Sequence, residues 1–121
     1  MTLAPTTAVA GVADWIPVCH LQGLTPDRGV AALVGGEAVA VFRLSSGELY
    51  ALANVDPFSG ASVLSRGIVG DAAGVPTVAS PMYKQRFDLR TGACLEEPSR
   101  AVAVYEVREV GGVVSVRPAH R

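Results

Sequence analysis

Two Gly-Gly pairs set the frame of this chain. Gly35-Gly36 lies between Val30-Ala31-Ala32-Leu33-Val34 and Ala38-Val39-Ala40-Val41-Phe42-Arg43-Leu44. Gly111-Gly112 lies between Val102-Ala103-Val104-Tyr105-Glu106-Val107 and Val113-Val114-Ser115-Val116-Arg117. A Gly-Gly flanked on both sides by β-rich runs predicts a β-hairpin, because tight hairpin turns need the positive φ that glycine adopts without strain. Further strands are predicted at residues 15–19 and 48–52, the second after the turn Ser45-Ser46-Gly47, with a loop at residues 24–29. No segment of any length carries a helical period, and there is no internal repeat. The pattern is all-β.

The chain has 121 residues, which suits one domain with a real core. Half of them are hydrophobic and 17% are charged, a globular composition. Lys plus Arg number 10 against 11 Asp plus Glu, so no overall basic field would attract nucleic acid or an anionic membrane. No apolar run approaches the roughly 20 residues that span a bilayer. The opening Met1-Thr2-Leu3-Ala4-Pro5-Thr6-Thr7 lacks the basic start of a secretory signal. A soluble, cytoplasmic protein is expected, with a loose segment at 1–13 and a single domain at 14–118.

Few residues offer chemistry. Cys19 and Cys94 are the only cysteines. A disulfide between them is conceivable, but a cytosolic chain of this size does not need one, and two thiols are expected. His20 and His120 are the only histidines and lie near opposite ends of the chain. Cys19 and His20 are adjacent on a predicted strand, so they face opposite ways and chelate poorly. No nucleophile–base motif and no glycine-rich phosphate cradle is present.

Residues 54–92 change character, with Gly67, Gly70 and Gly74 spaced along them. Short strands are predicted at 77–80 and 86–89, a turn at Asp71-Ala72-Ala73-Gly74, and another at Arg90-Thr91-Gly92. Asp88 is expected to bond nearby backbone. Two segments carry the most specific pattern: Asp56-Pro57-Phe58-Ser59-Gly60 and Ser80-Pro81-Met82-Tyr83-Lys84-Gln85-Arg86-Phe87-Asp88. They resemble the two cluster-binding loops of Rieske domains, which read Cys-Pro-His-x-Gly and Cys-Pro-x-His-Gly and place two Cys on one iron and two His on the other. Here the four ligand positions hold Asp56, Phe58, Ser80 and Tyr83, while Pro57, Gly60, Pro81 and Phe87-Asp88 keep the scaffold. The resemblance implies a Rieske-like β-sandwich with a small loop-rich subdomain, 54–92, in place of the cluster-binding one. A carboxylate and a phenol are hard ligands, and Phe58 cannot ligate, so no cofactor or metal is expected on this chain. Phe58 and Tyr83 are expected to fill part of the cluster's volume, since an empty apolar cavity would cost a few kcal/mol.

Within that group the chain is similar to the small subunit of assimilatory NAD(P)H-dependent nitrite reductase. The likeness lies in Val39-Ala40-Val41-Phe42-Arg43, Tyr50-Ala51-Leu52-Ala53-Asn54, Leu64-Ser65-Arg66-Gly67-Ile68-Val69-Gly70-Asp71 and the two ligand-less loops. It implies a non-catalytic subunit that supports a large subunit carrying flavin, an iron–sulfur cluster and sirohaem. That partner would pass electrons from the nicotinamide cofactor to nitrite, giving ammonium for nitrate assimilation. Two roles are open for the loops: a relic kept for folding, or a docking surface for the large subunit. Phe58, Arg66, Met82, Tyr83, Lys84 and Arg86 are the candidate docking residues, chosen by side-chain type and loop position. The alternatives are a Rieske-type ferredoxin serving an oxygenase and a free-standing interaction module.

Overall fold

The computed structural model describes residues 15–119, so the segment expected to be loose at 1–13, and His120, lie outside the described residues. Nine strands are described: β1 Ile16–His20, β2 Arg28–Val34, β3 Glu37–Arg43, β4 Leu49–Ala53, β5 Ile68–Ala72, β6 Val75–Ala79, β7 Arg86–Asp88, β8 Val104–Val110 and β9 Val113–Pro118. They form a six-stranded sheet in the order β1-β9-β8-β4-β3-β2 and a three-stranded sheet in the order β5-β6-β7. Every pairing of neighbouring strands is antiparallel. The only helical elements among the described residues are two single 3-10 turns, Leu21–Gly23 and Leu64–Arg66. No helix among them is long and apolar enough to cross a membrane.

Both Gly-Gly hairpins form. All four turn glycines have positive φ, 58° and 85° at Gly35 and Gly36, 60° and 86° at Gly111 and Gly112. Positive φ at both central residues is the turn whose twist matches the flanking strands.

The central strands are buried on both faces, which is why β3 reads as a near-continuous apolar run. Alternate side chains leave a strand on opposite sides. Val39, Val41 and Ala51 join Leu24, Val34, Val114 and Val116 in one cluster. Ala40, Phe42 and Leu52 join Leu64, Val78, Phe87, Leu89, Cys94 and Val102 in the other. The large sheet curls until its two edges, β1 and β2, touch, and the first cluster fills the curl. The second cluster fixes the three-stranded sheet against the outer face of β3 and β4. The loops between β4 and β7 therefore stand on a double-sided core.

One strand departs from expectation. No strand is expected at residues 68–72, and Gly70 and Asp71 are residue types that disfavour strands. They form β5 because β6 pairs with them from Ile68 opposite Ala79 to Ala72 opposite Val75. The turn expected at Asp71–Gly74 is narrower, Ala73-Gly74, because Asp71 and Ala72 pair with Pro76 and Val75, and the Gly74 amide donates to Asp71 Oδ2 at 3.0 Å. At the start of β1, Trp15 is half-buried between Arg108 and Arg117, whose guanidinium carbons lie 4.4 and 4.3 Å from its ring centre.

Candidate functional site at the paired loops

The first loop leaves β4 at Asn54, a buried side chain that organises the turn. Asn54 Nδ2 donates to Ser62 Oγ at 2.8 Å, and its Oδ1 accepts from the Ser65 amide at 2.6 Å. Its carbonyl accepts from the amides of Val63 and Leu64, both at 3.0 Å. Asp56 follows with no exposed surface. The Phe58 amide donates to Asp56 Oδ1 at 2.7 Å, and the Gly60 amide donates to the Asp56 carbonyl at 2.7 Å.

The second loop joins β6 to β7 and is built the same way. The Met82 amide donates to Ser80 Oγ at 3.1 Å, and the Lys84 amide to the Ser80 carbonyl at 2.9 Å. Each loop thus begins with a polar residue whose side chain holds the amide two residues on and whose carbonyl holds the amide four residues on. The fifth residue has positive φ in both, 78° at Gly60 and 66° at Lys84. The two first residues meet: Ser80 Oγ donates to Asp56 Oδ2 at 2.5 Å, deep in the protein.

The expected site residues separate into three groups. Phe58 turns inward, half-buried on the second core cluster, with its ring centre 6.3 Å from that of Phe87. Arg100 covers its ring at 4.9 Å and donates to the Pro57 carbonyl at 3.1 Å. Tyr83 does not fill the cluster's volume as expected: it is 59% exposed, and Met82 beside it is 45% exposed. The loop turns both side chains outward because Ser80, not Tyr83, anchors it to Asp56. Lys84 and Arg66 are exposed as well and form no ion pair among the described residues. Arg86 is already engaged, its Nε 2.7 Å from Glu96 Oε2 and its amide 2.9 Å from Glu96 Oε1.

Neighbouring carboxyls are tuned by the same contacts. The Arg86 amide is the largest cause holding Glu96 below the ordinary carboxylate range. The Arg90 guanidinium does so first for Asp88. Asp88 also accepts the Arg90 amide at 2.8 Å, the backbone bond expected of it. Sequence reasoning missed Asn54, Val55 (42% exposed) and Arg100. Asn54 carries a usable signal, a polar residue directly after an apolar strand. Arg100 carries none, being 43 residues from the carbonyl it binds.

These residues do not fit a Rieske cluster. Both Asp56 oxygens are occupied by protein donors. Phe58 has no donor atom, and Tyr83 lies on the surface. Cys94 is sealed in the core, while Cys19 and the exposed His20 belong to β1. Cys19 and Cys94 are not bonded to each other. Among the described residues no three His, Cys, Asp or Glu side chains gather as a metal site.

Known proteins place the fold and the loops in context. The family model for the Rieske-like [2Fe-2S] domain matches residues 14–117. The nitrite reductase (NADH) small subunit of Salmonella typhimurium is 44% identical over 107 residues, covering 88% of this chain and 99% of that protein. A structure assigned as the NADH-dependent nitrite reductase small subunit of Mycobacterium tuberculosis superposes with a TM-score of 0.84 at 46% identity, covering 88% of this chain and 96% of that one. A stretch making up 11% of the nitrite reductase [NAD(P)H] large subunit of Klebsiella oxytoca is 41% identical over 102 residues, 84% of this chain. The anthranilate 1,2-dioxygenase ferredoxin subunit of Burkholderia cepacia is 34% identical over 108 residues, covering 88% of this chain and 94% of that one. With a Rieske-like fold, ligand-less loops and near-full-length similarity of this degree, the chain belongs to the Rieske-like [2Fe-2S] domain family and, within it, to the nitrite reductase small subunits.

Proposed function

We propose that this chain is the non-catalytic small subunit of a cytoplasmic NAD(P)H-dependent nitrite reductase that forms ammonium for nitrate assimilation. The observation that carries the reading is 44% identity across 99% of a nitrite reductase (NADH) small subunit. The Klebsiella oxytoca protein adds support, because there a domain like this one is part of the large polypeptide itself. The reaction's flavin, iron–sulfur cluster and sirohaem belong to the large subunit. This chain carries no cofactor and touches no reacting atom. Its paired loops dock the large subunit through Met82, Tyr83, Lys84 and Arg66. Phe58 serves from within as packing, and Arg86 is held at the surface by Glu96.

The test is NADH-dependent nitrite reduction by the large subunit with and without this protein. Activity that rises on addition, with co-elution of the two chains, supports the reading. Unchanged activity without co-elution overturns it. The ferredoxin reading draws on the 34% identity to a dioxygenase ferredoxin subunit. Iron and acid-labile sulfide analysis of anaerobically purified protein separates the two. Background iron is expected, and stoichiometric iron with sulfide would establish the ferredoxin reading instead.

A further inference from the structure

The two loop positions that would share one iron in a Rieske centre are Asp56 and Ser80. In this chain they are joined directly. A continuous path runs from the Met82 amide to Ser80 Oγ, from the Ser80 hydroxyl to Asp56 Oδ2, and from Asp56 Oδ1 to the Phe58 amide. It ties the backbone of one loop to the backbone of the other, across 24 residues of sequence. Asp56 has no exposed surface and Ser80 is 1% exposed, so water does not compete for the bond.

We infer that the Asp56–Ser80 hydrogen bond takes the place of the metal cross-link, holding the two loops in their paired turns with no cofactor. A buried bond between a hydroxyl and a carboxyl group is among the stronger ones available to side chains. Its position serves both loops at once, because each partner also organises its own turn. The loops then present Met82, Tyr83 and Lys84 whatever the iron supply. This inference concerns the isolated chain and holds or fails independently of the docking role.

The test is amide hydrogen exchange on the full chain, read at Phe58 and Gly60 in the first loop and at Met82 and Lys84 in the second. Ser80→Ala removes the hydroxyl. It is expected to speed exchange at Phe58 and Gly60, in the other loop, by roughly tenfold or more. Asp56→Ala is expected to do the same at Met82 and Lys84. Asp56→Asn keeps an oxygen for the Phe58 amide and offers Ser80 an N–H, so it should retain most of the protection across the loops. Effects confined to the substituted residue's own loop would reduce the pair to two separate turns and overturn the inference. Should Asp56→Ala not fold, Ser80→Ala carries the same reading across the loops. Protection at Phe58 and Gly60 that survives Ser80→Ala refutes it.

Discussion

Lys84 holds a backbone conformation that its counterpart in the first loop assigns to glycine. Its φ of 66° matches the 78° of Gly60, yet it carries a side chain. A non-glycine residue in the left-handed region costs about 1 kcal/mol or more, and such strain gathers where function sets the residue. Lys84→Gly should therefore raise the unfolding free energy in urea by up to about 1 kcal/mol while weakening association with the large subunit. A variant that is more stable and binds undiminished would remove Lys84 from the interface. Asp88 makes a second prediction at this scale. Its folded pKa lies below the ordinary value, first through the hydrogen bond from Arg90. A depressed carboxyl contributes stability that is complete above its unfolded pKa of about 3.9 and is lost as pH falls through the lower folded value. Arg90→Gln should lower stability near neutrality and converge with the parent in strong acid. Urea midpoints across the acid range, followed through Trp15 fluorescence, would show either convergence or a constant gap, and the latter excludes this linkage.

Elements depend on a few positions where backbones nearly touch. Gly92 turns the chain from β7 toward β8 with φ at 82°, and a Cβ there would strike the Val102 carbonyl oxygen. The Val102 amide donates to the Gly92 carbonyl at 2.9 Å, so neither loop segment can withdraw freely. Gly92→Ala is expected to cost about 2 kcal/mol or more in urea unfolding, combining strain at positive φ with the clash. A loss under about 0.5 kcal/mol would mean the turn relaxes. The two Gly-Gly hairpins were legible in the sequence because their turn chemistry and strand pattern are local. β5 was not, since Gly70 and Asp71 argue against a strand until β6 is known to lie beside it. The loops were legible as a degenerate pair from Pro57, Gly60, Pro81 and the missing ligands. Their geometry was hidden because it rests on contacts far apart in sequence, Asp56 with Ser80 and Arg100 with Pro57. That is also why Tyr83 looked like cavity filler. Side-chain size suggested it, but the anchor that turns it outward lies in the other loop.

At the scale of the whole molecule, charge is nearly balanced, with a formal net of -1, yet the paired loops are locally basic. Arg86 and Arg90 are matched by Glu96 and Asp88. Lys84 and Arg66 are left without an acid among the described residues, and the pairing of β5 with β6 carries Arg66 toward the end where Ser80 and Pro81 begin the second loop. Exposed cations beside exposed Met82 and Tyr83 suit a partner surface with carboxylates around an apolar recess. The large reductase chain is the occupant proposed for it. Rim charges act mainly on encounter, so association should weaken as salt rises and attraction is screened beyond about 8 Å at physiological ionic strength. Reversing both charges, Arg66→Glu with Lys84→Glu, should reduce affinity by roughly tenfold or more at low salt and flatten the salt dependence. Neither side chain supports the core, so the urea midpoint of the isolated chain should hold. Equilibrium binding of the double variant to the large subunit, measured at low and high salt, decides the matter. Affinity and salt slope equal to the parent's would move the interface away from the loops without dissolving the partnership.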